Sequence, residues 1–135
     1  PIYAGEAAGP ESIRQAVDYG TARIGHGVNC IHDKNLMNII AEKGITLELC
    51  PTSNLNTKIV NDIKDYPIDK IINNKIKVTI NTDNMTVSGT DEASEMKLIC
   101  DTFGYDGNMR RIFVDNAIDA AFLSNEMKEK LRGNL

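Results

Sequence analysis

Four places in this chain carry groups capable of acid–base or metal chemistry: Glu6, His26, the pair Ser53-Asn54, and Asp83-Asn84. A carboxylic acid, an imidazole and a carboxylate gathered together suit hydrolysis by a metal-bound water. The acid can protonate a leaving or ring atom. The imidazole can orient or stabilise hydroxide, and the carboxylate can ligate a divalent metal and accept a proton. Taken singly, each residue has a plainer role. Glu6 suits a helix cap or a solvated surface, His26 a structural hydrogen bond, and Asp83 the N-cap of a following segment. Their meaning depends on whether the chain delivers them to one place.

The elements that would do so are legible. Lys77 to Asn84, KVTINTDN, begins with the β-branched run Val78, Thr79 and Ile80, which suits a buried strand, and ends in polar groups. Similar strands are expected at Pro1 to Ala4, ending at Gly5-Glu6, at Ala22 to Gly25, followed by His26-Gly27, and at Ile45 to Leu49, followed by Cys50 to Asn54 as a turn. Helices are expected between them. Gly9-Pro10-Glu11-Ser12 reads as a helix start before the stripe Ile13, Ala16 and Val17, which Gly20 closes. Asp33 caps a second helix with apolar Leu36, Met37 and Ile40, stopped at Gly44. Leu55 to Asp65 is polar and ambiguous, and Pro67 opens a third helix burying Ile68, Ile71 and Ile72.

After a flexible Ser88-Gly89-Thr90, helices dominate. One spans about 91–103 and closes at Gly104. A second buries Met109, Ile112, Phe113, Asn116, Ala117 and Ala120. A third runs from Ser124 and fades before Gly133. Alternation of this kind implies an α/β fold with parallel strands and right-handed crossovers. The spacing of the four βα units favours a barrel over an open sheet. In such an array all four candidate points lie at the carboxyl ends of the strands, where ligands bind.

Composition sets outer bounds. The chain has 135 residues, 41% of them hydrophobic, which is one domain's worth of core. A net charge of -4 argues against a dedicated nucleic-acid or membrane-surface binder. No apolar run approaches the roughly 20 residues that span a bilayer. Cys30, Cys50 and Cys100 are odd in number and form no CxxC pair, which predicts reduced packing thiols in a cytoplasmic protein. His32, at a helix start, is expected on the surface. No secretory or transit signal opens the sequence. The chain opens inside a strand, so a missing N-terminal portion is expected.

The strand-end sequences resemble those of the adenosine deaminase family. Tyr3-Ala4-Gly5-Glu6 is similar to the family's His-Ala-Gly-Glu, and Arg23-Ile24-Gly25-His26-Gly27 reproduces its Arg-Ile-Gly-His-Gly. Cys50-Pro51-Thr52-Ser53-Asn54 resembles its Cys-Pro-x-Ser-Asn/Ser segment, and Asn81-Thr82-Asp83-Asn84 its Asn-Thr-Asp-Asp/Asn segment. The related adenine deaminases prefer Arg-Ile-Asp-His-Gly and Asn-Ser-Asp-Asp, so the match favours the nucleoside enzymes. The resemblance covers essentially the whole chain. It implies residues 1–135 as a single partial domain, the C-terminal half of a (β/α)8 TIM barrel with extra C-terminal helices. The implied reaction is zinc-dependent hydrolytic deamination of adenosine or deoxyadenosine to the inosine product and ammonia.

By that resemblance, Glu6 exchanges a proton with purine N1 and His26 steers the hydroxide. Asp83 ligates zinc and acts as a base toward the water. Asn84 hydrogen-bonds the purine edge, and Gly5 lets the substrate approach, its N–H facing the ring. Two departures stand out. The family's His-x-His pair is missing, and Tyr3 occupies the position of a further His ligand. A neutral phenol is a poorer zinc ligand than imidazole, and Asp83 alone cannot hold zinc. The expectation is therefore zinc in the complete enzyme, none in this chain, and no deamination by this chain alone. Unpaired strand edges at Pro1–Ala4 and Lys77–Asn81 predict self-association or docking of an N-terminal half. The alternative is a non-catalytic remnant or nucleoside-binding scaffold that has lost its zinc site. A sister hydrolase acting on another amino-purine is a third possibility.

Overall fold

The computed structural model describes residues 2–5, 9–82, 91–121 and 124–133. Four strands, β1 (Ile2–Ala4), β2 (Arg23–His26), β3 (Thr46–Leu49) and β4 (Lys77–Ile80), form one sheet in the order of the chain. Every neighbouring pair is parallel. Connecting helices make the crossovers: α1 (Pro10–Asp18), α2 (Lys34–Glu42), α3 (Pro51–Asn56) and α4 (Ile68–Asn73). Among the described residues three more follow: α5 (Glu92–Phe103), α6 (Gly107–Ala120) and α7 (Asn125–Arg132).

Local sequence explains most boundaries. Pro10 opens α1, where a missing N–H costs nothing. Asp33 caps α2 by accepting the Leu36 N–H at 3.0 Å, and Arg14 reaches the same carboxylate. Asp91 and Asp106 cap α5 and α6 in the same way, and Ser124 caps α7. The expected stripe Ile13, Ala16 and Val17 is buried, as is Leu36, Met37 and Ile40 on α2.

Three expectations are corrected. Cys50 to Asn54 is not a simple turn: Pro51 starts α3, which runs to Asn56, with Cys50 at its N-cap. The α6 stripe is narrower than its apolar residues suggest. Phe113 and Ile118 are buried, but Ile112 is 51% exposed and Ala117 is exposed too. The side of α6 facing β4 is buried, while its Asp115 and Asp119 pair with Arg132 of α7 on a more exposed side. On α4, Ile68 and Ile71 are buried while Ile72 is only partly so, because a six-residue helix presents little more than one turn to the sheet.

Strand alternation sorts the sheet into two faces. Ile24, Leu47, Leu49, Val78 and Ile80 belong to the core shared with the helices. On the other pleat the register aligns Tyr3 with Gly25, Gly25 with Glu48, and Glu48 with Thr79. Arg23 and Glu48 approach to 3.3 Å on that side. The outer edge of β4 is partly covered. Asn116 of α6 donates its side-chain N–H to the Val78 carbonyl at 3.0 Å, a group that the alternation of ladder bonds turns away from β3.

Candidate active site

Because the strands are parallel, their carboxyl ends share one edge. Gly5 follows β1, His26 ends β2, α3 follows β3, and Asn81-Thr82 follow β4. Glu6, Asp83 and Asn84 lie outside the described residues. Their chain neighbours Gly5 and Thr82 stand on this edge.

The ends of β1 and β2 are stitched together. The Gly27 N–H donates to the Ala4 carbonyl at 2.8 Å, and the Asn29 N–H to that of Gly5 at 3.2 Å. Gly5 has φ +72°, and a Cβ there would sit 2.3 Å from Ile13 Cδ1. Glycine is thus needed for both backbone conformation and the approach of α1. Its N–H, expected to face a purine, instead donates to Ser12 Oγ at 3.0 Å. The left-handed turn at Gly5 points that N–H back at the first turn of α1, where the Ser12 hydroxyl waits.

His26 is the best-defined member of the site. It is buried at 3% exposure and has φ 67°, a left-handed conformation uncommon outside glycine. That conformation, followed by left-handed Gly27, ends the strand's alternation. The His26 ring centroid lies 6.0 Å from that of Tyr3, with the planes tilted by 53°. Tyr3 itself is 69% exposed and lies over Gly25, where a Cβ would meet its ring at 2.4 Å.

Behind His26 lies a polar chain that sequence reading did not single out in full. His26 Nδ1 is 3.5 Å from Asn54 Nδ2. The Asn54 Oδ1 accepts a 2.7 Å hydrogen bond from the Tyr66 hydroxyl. Asn54 is wholly buried and Tyr66 is 2% exposed. Glu95 of α5 was also missed. Its Oε2 accepts the Thr52 N–H at 3.2 Å, at the start of α3. Its Oε1 is buried with no hydrogen-bond partner among the described residues. Burial pushes the Glu95 carboxyl upward, and the Thr52 hydrogen bonds only partly offset this. The available hint for Tyr66 was an aromatic residue directly before the helix-opening Pro67. Glu95 offered none, since an acid in a first helical turn is ordinary.

The other sequence candidates separate from the site. His32 is exposed at the end of a 3-10 turn, Val28–His32. All three cysteines are buried thiols outside any disulfide, and burial pushes the Cys30 thiol up to about 12, which keeps it protonated.

The sequence pattern of adenosine deaminases matches residues 1–135. The chain belongs to the adenosine deaminase family. It is 43% identical over 134 residues to an adenosine deaminase of Haemophilus ducreyi, a match covering 99% of this chain and 39% of that protein. Its fold superposes on an adenine deaminase from Arthrobacter aurescens with TM-score 0.93 at 23% identity, over 97% of this chain and 40% of that one. An amidohydrolase from Burkholderia ambifaria, solved with bound Zn, gives TM-score 0.86 at 24% identity over 97% and 37% of the two chains. The neighbours are TIM-barrel amidohydrolases, and this chain spans about two-fifths of the relatives it matches.

The described residues do not by themselves fit the zinc that this family resemblance implies. They contain no group of three or more His, Cys, Asp or Glu able to hold a metal. The ring beside His26 is a phenol, Tyr3, rather than a second imidazole.

Proposed function

We propose that this chain is the C-terminal half of a deaminase barrel, and that the complete protein converts adenosine and deoxyadenosine to their inosine products. Water adds to C6 of the purine, and the amino group leaves as ammonia. The observation that supports this best is the shared edge, where a buried His26 stands beside the strand ends that lead to Glu6 and Asp83. In this reading Glu6 exchanges a proton with purine N1, and His26 donates a hydrogen bond to the attacking oxygen. Asp83 takes the proton of the water, and Asn84 holds the purine edge. Gly5 leaves room for the ring, with its N–H released only if Ser12 lets go. Zinc belongs to the reading for the complete protein, with Asp83 as this chain's contribution to its ligands.

The test is an absorbance assay of adenosine with the complete protein, alongside metal analysis. Equal amounts of inosine and ammonia are expected, with none from the isolated chain. Turnover by the isolated chain, or none by the complete protein, overturns the proposal. The β1 edge supports a second expectation. Among the described residues it carries no covering helix bond like that from Asn116 to β4, so the isolated chain self-associates or docks a partner half-barrel. A stable, well-folded monomer in sedimentation at micromolar concentration would refute this.

Tyr3 favours one rival reading, a remnant that no longer catalyses. Its outcome is distinct: deamination by the complete Tyr3→His protein and none by the unaltered one.

A further inference from the structure

We infer that Asn54 and Tyr66 are positioning residues that hold the His26 imidazole in the Nε2–H tautomer. The Tyr66 hydroxyl donates to Asn54 Oδ1 at 2.7 Å. That bond directs the carbonyl end of the amide toward Tyr66 and the NH2 end toward His26. Asn54 Nδ2 is then the donor across the 3.5 Å gap, and His26 Nδ1 the acceptor. A neutral imidazole carries one N–H, so the proton resides on Nε2, the far side of the ring.

His26, Asn54 and Tyr66 are all buried. Turning the amide end for end would make the Tyr66 hydroxyl the acceptor and put the imidazole proton on Nδ1, so the amide orientation and the tautomer are one choice. The three come from different elements: the end of β2, helix α3, and the residue before Pro67. Glu95 fastens α3 from a fourth, by accepting the Thr52 N–H. The ring nitrogen that faces away from this scaffold is left as a hydrogen-bond donor. Such a donor suits an oxygen on which negative charge develops, whereas the other tautomer would offer a lone pair there. The consequence for catalysis rests on the proposed deaminase reading; the tautomer itself does not.

The experiment is nitrogen-15 NMR of the imidazole rings in this chain at pH about 8, above the ordinary imidazole pKa of about 6.5. The chain contains two histidines, and exposed His32 serves as internal reference. His26 is expected as the Nε2–H form. Tyr66→Phe releases the amide from its anchor and should give a mixture of tautomers. Asn54→Asp places an acceptor against Nδ1 and should move His26 to the Nδ1–H form. His32 should be unaffected by either change. A wild-type Nδ1–H ring, or a His26 spectrum unmoved by Tyr66→Phe, overturns the inference. The latter variant keeps the aromatic ring, so the test stands even if Asn54→Asp does not fold. In the complete protein, Asn54→Asp should lower kcat about a hundredfold with a much smaller change in KM. If that protein deaminates nothing while the NMR outcome holds, the functional reading fails and the positioning role survives.

Discussion

Ile24, Leu47, Leu49, Val78 and Ile80 turn toward the helices, while Tyr3, Arg23, Glu48 and Thr79 occupy the opposite pleat of the same four strands. The first set is held by apolar burial and close packing. The second is largely polar, with a charge pair and a glycine, Gly25, that makes way for Tyr3. A parallel sheet covered on both sides usually reads as continuous apolar runs. Here one side keeps polar groups, and the strands end on that side's rim with His26. The difference teaches that the helix face supplies stability, while the polar face and its rim supply chemistry.

The sharpest way to break this comparison is on the helix face. Leu47 is wholly buried. Leu47→Ala should cost about 3 kcal/mol, seen as a lower urea midpoint with an unchanged slope. A loss below about 1 kcal/mol would mean that this face is not the packed core.

On the polar face the expected effect is smaller. Arg23 and Glu48 approach without hydrogen-bond geometry between the two closest atoms, so their attraction is largely coulombic. Arg23→Met strands Glu48 and should cost about 2 kcal/mol, less than a fully buried pair because both side chains keep some water contact. Adding Glu48→Leu to Arg23→Met should recover most of the loss. If the double variant is no better than the single, the pair is more than two compensating charges.

Glu95 sharpens the point, since it is buried with no cation paired to it among the described residues. Its folded carboxyl sits above its ordinary range because burial disfavours the charged form. Stability linked to this group is therefore fully present below the unfolded carboxyl pKa, about 4.3, and lost as pH rises through the folded value. Glu95→Gln removes that loss. The variant should be more stable than wild type at pH 7, and the difference should vanish on acidification to about pH 4. Denaturant midpoints across that range check this; a difference that grows on acidification would contradict it. The smallest effect is expected at Lys97 and Asp101, an exposed i,i+4 pair 2.6 Å apart. Lys97→Ala should leave the midpoint unchanged within error, because solvent screens such pairs.

Much of the fold was readable because its signals are local. β-branched runs, glycine stops and aspartate caps act within a few residues, so all four strands and most helix starts were placed correctly. Strand limits shifted at β2, which moves by one residue to take in His26, and at β4, which stops at Ile80, short of the polar end of its stretch. Reading Cys50 to Asn54 as a turn failed because Pro, Ser and Asn favour turns but also open helices. The α6 stripe failed because apolar spacing says which side of a helix could be buried, not how much partner surface exists. Of the site, His26 and Asn54 were visible in the sequence. The Tyr66 bond to Asn54 and the Glu95 bond to Thr52 were not.

The sequence by itself determined the parallel βα order, the edge on which His26 and Gly5 stand, and the family to which the chain belongs. Tertiary structure alone decided which polar groups touch. It set Tyr66 against Asn54, Asn54 against His26, Glu95 against Thr52, and Ser12 against the Gly5 N–H. Periodicity and capping describe a residue's relation to its own segment. A hydrogen bond between segments depends on how helices settle on a sheet, and that is fixed by packing of the whole core.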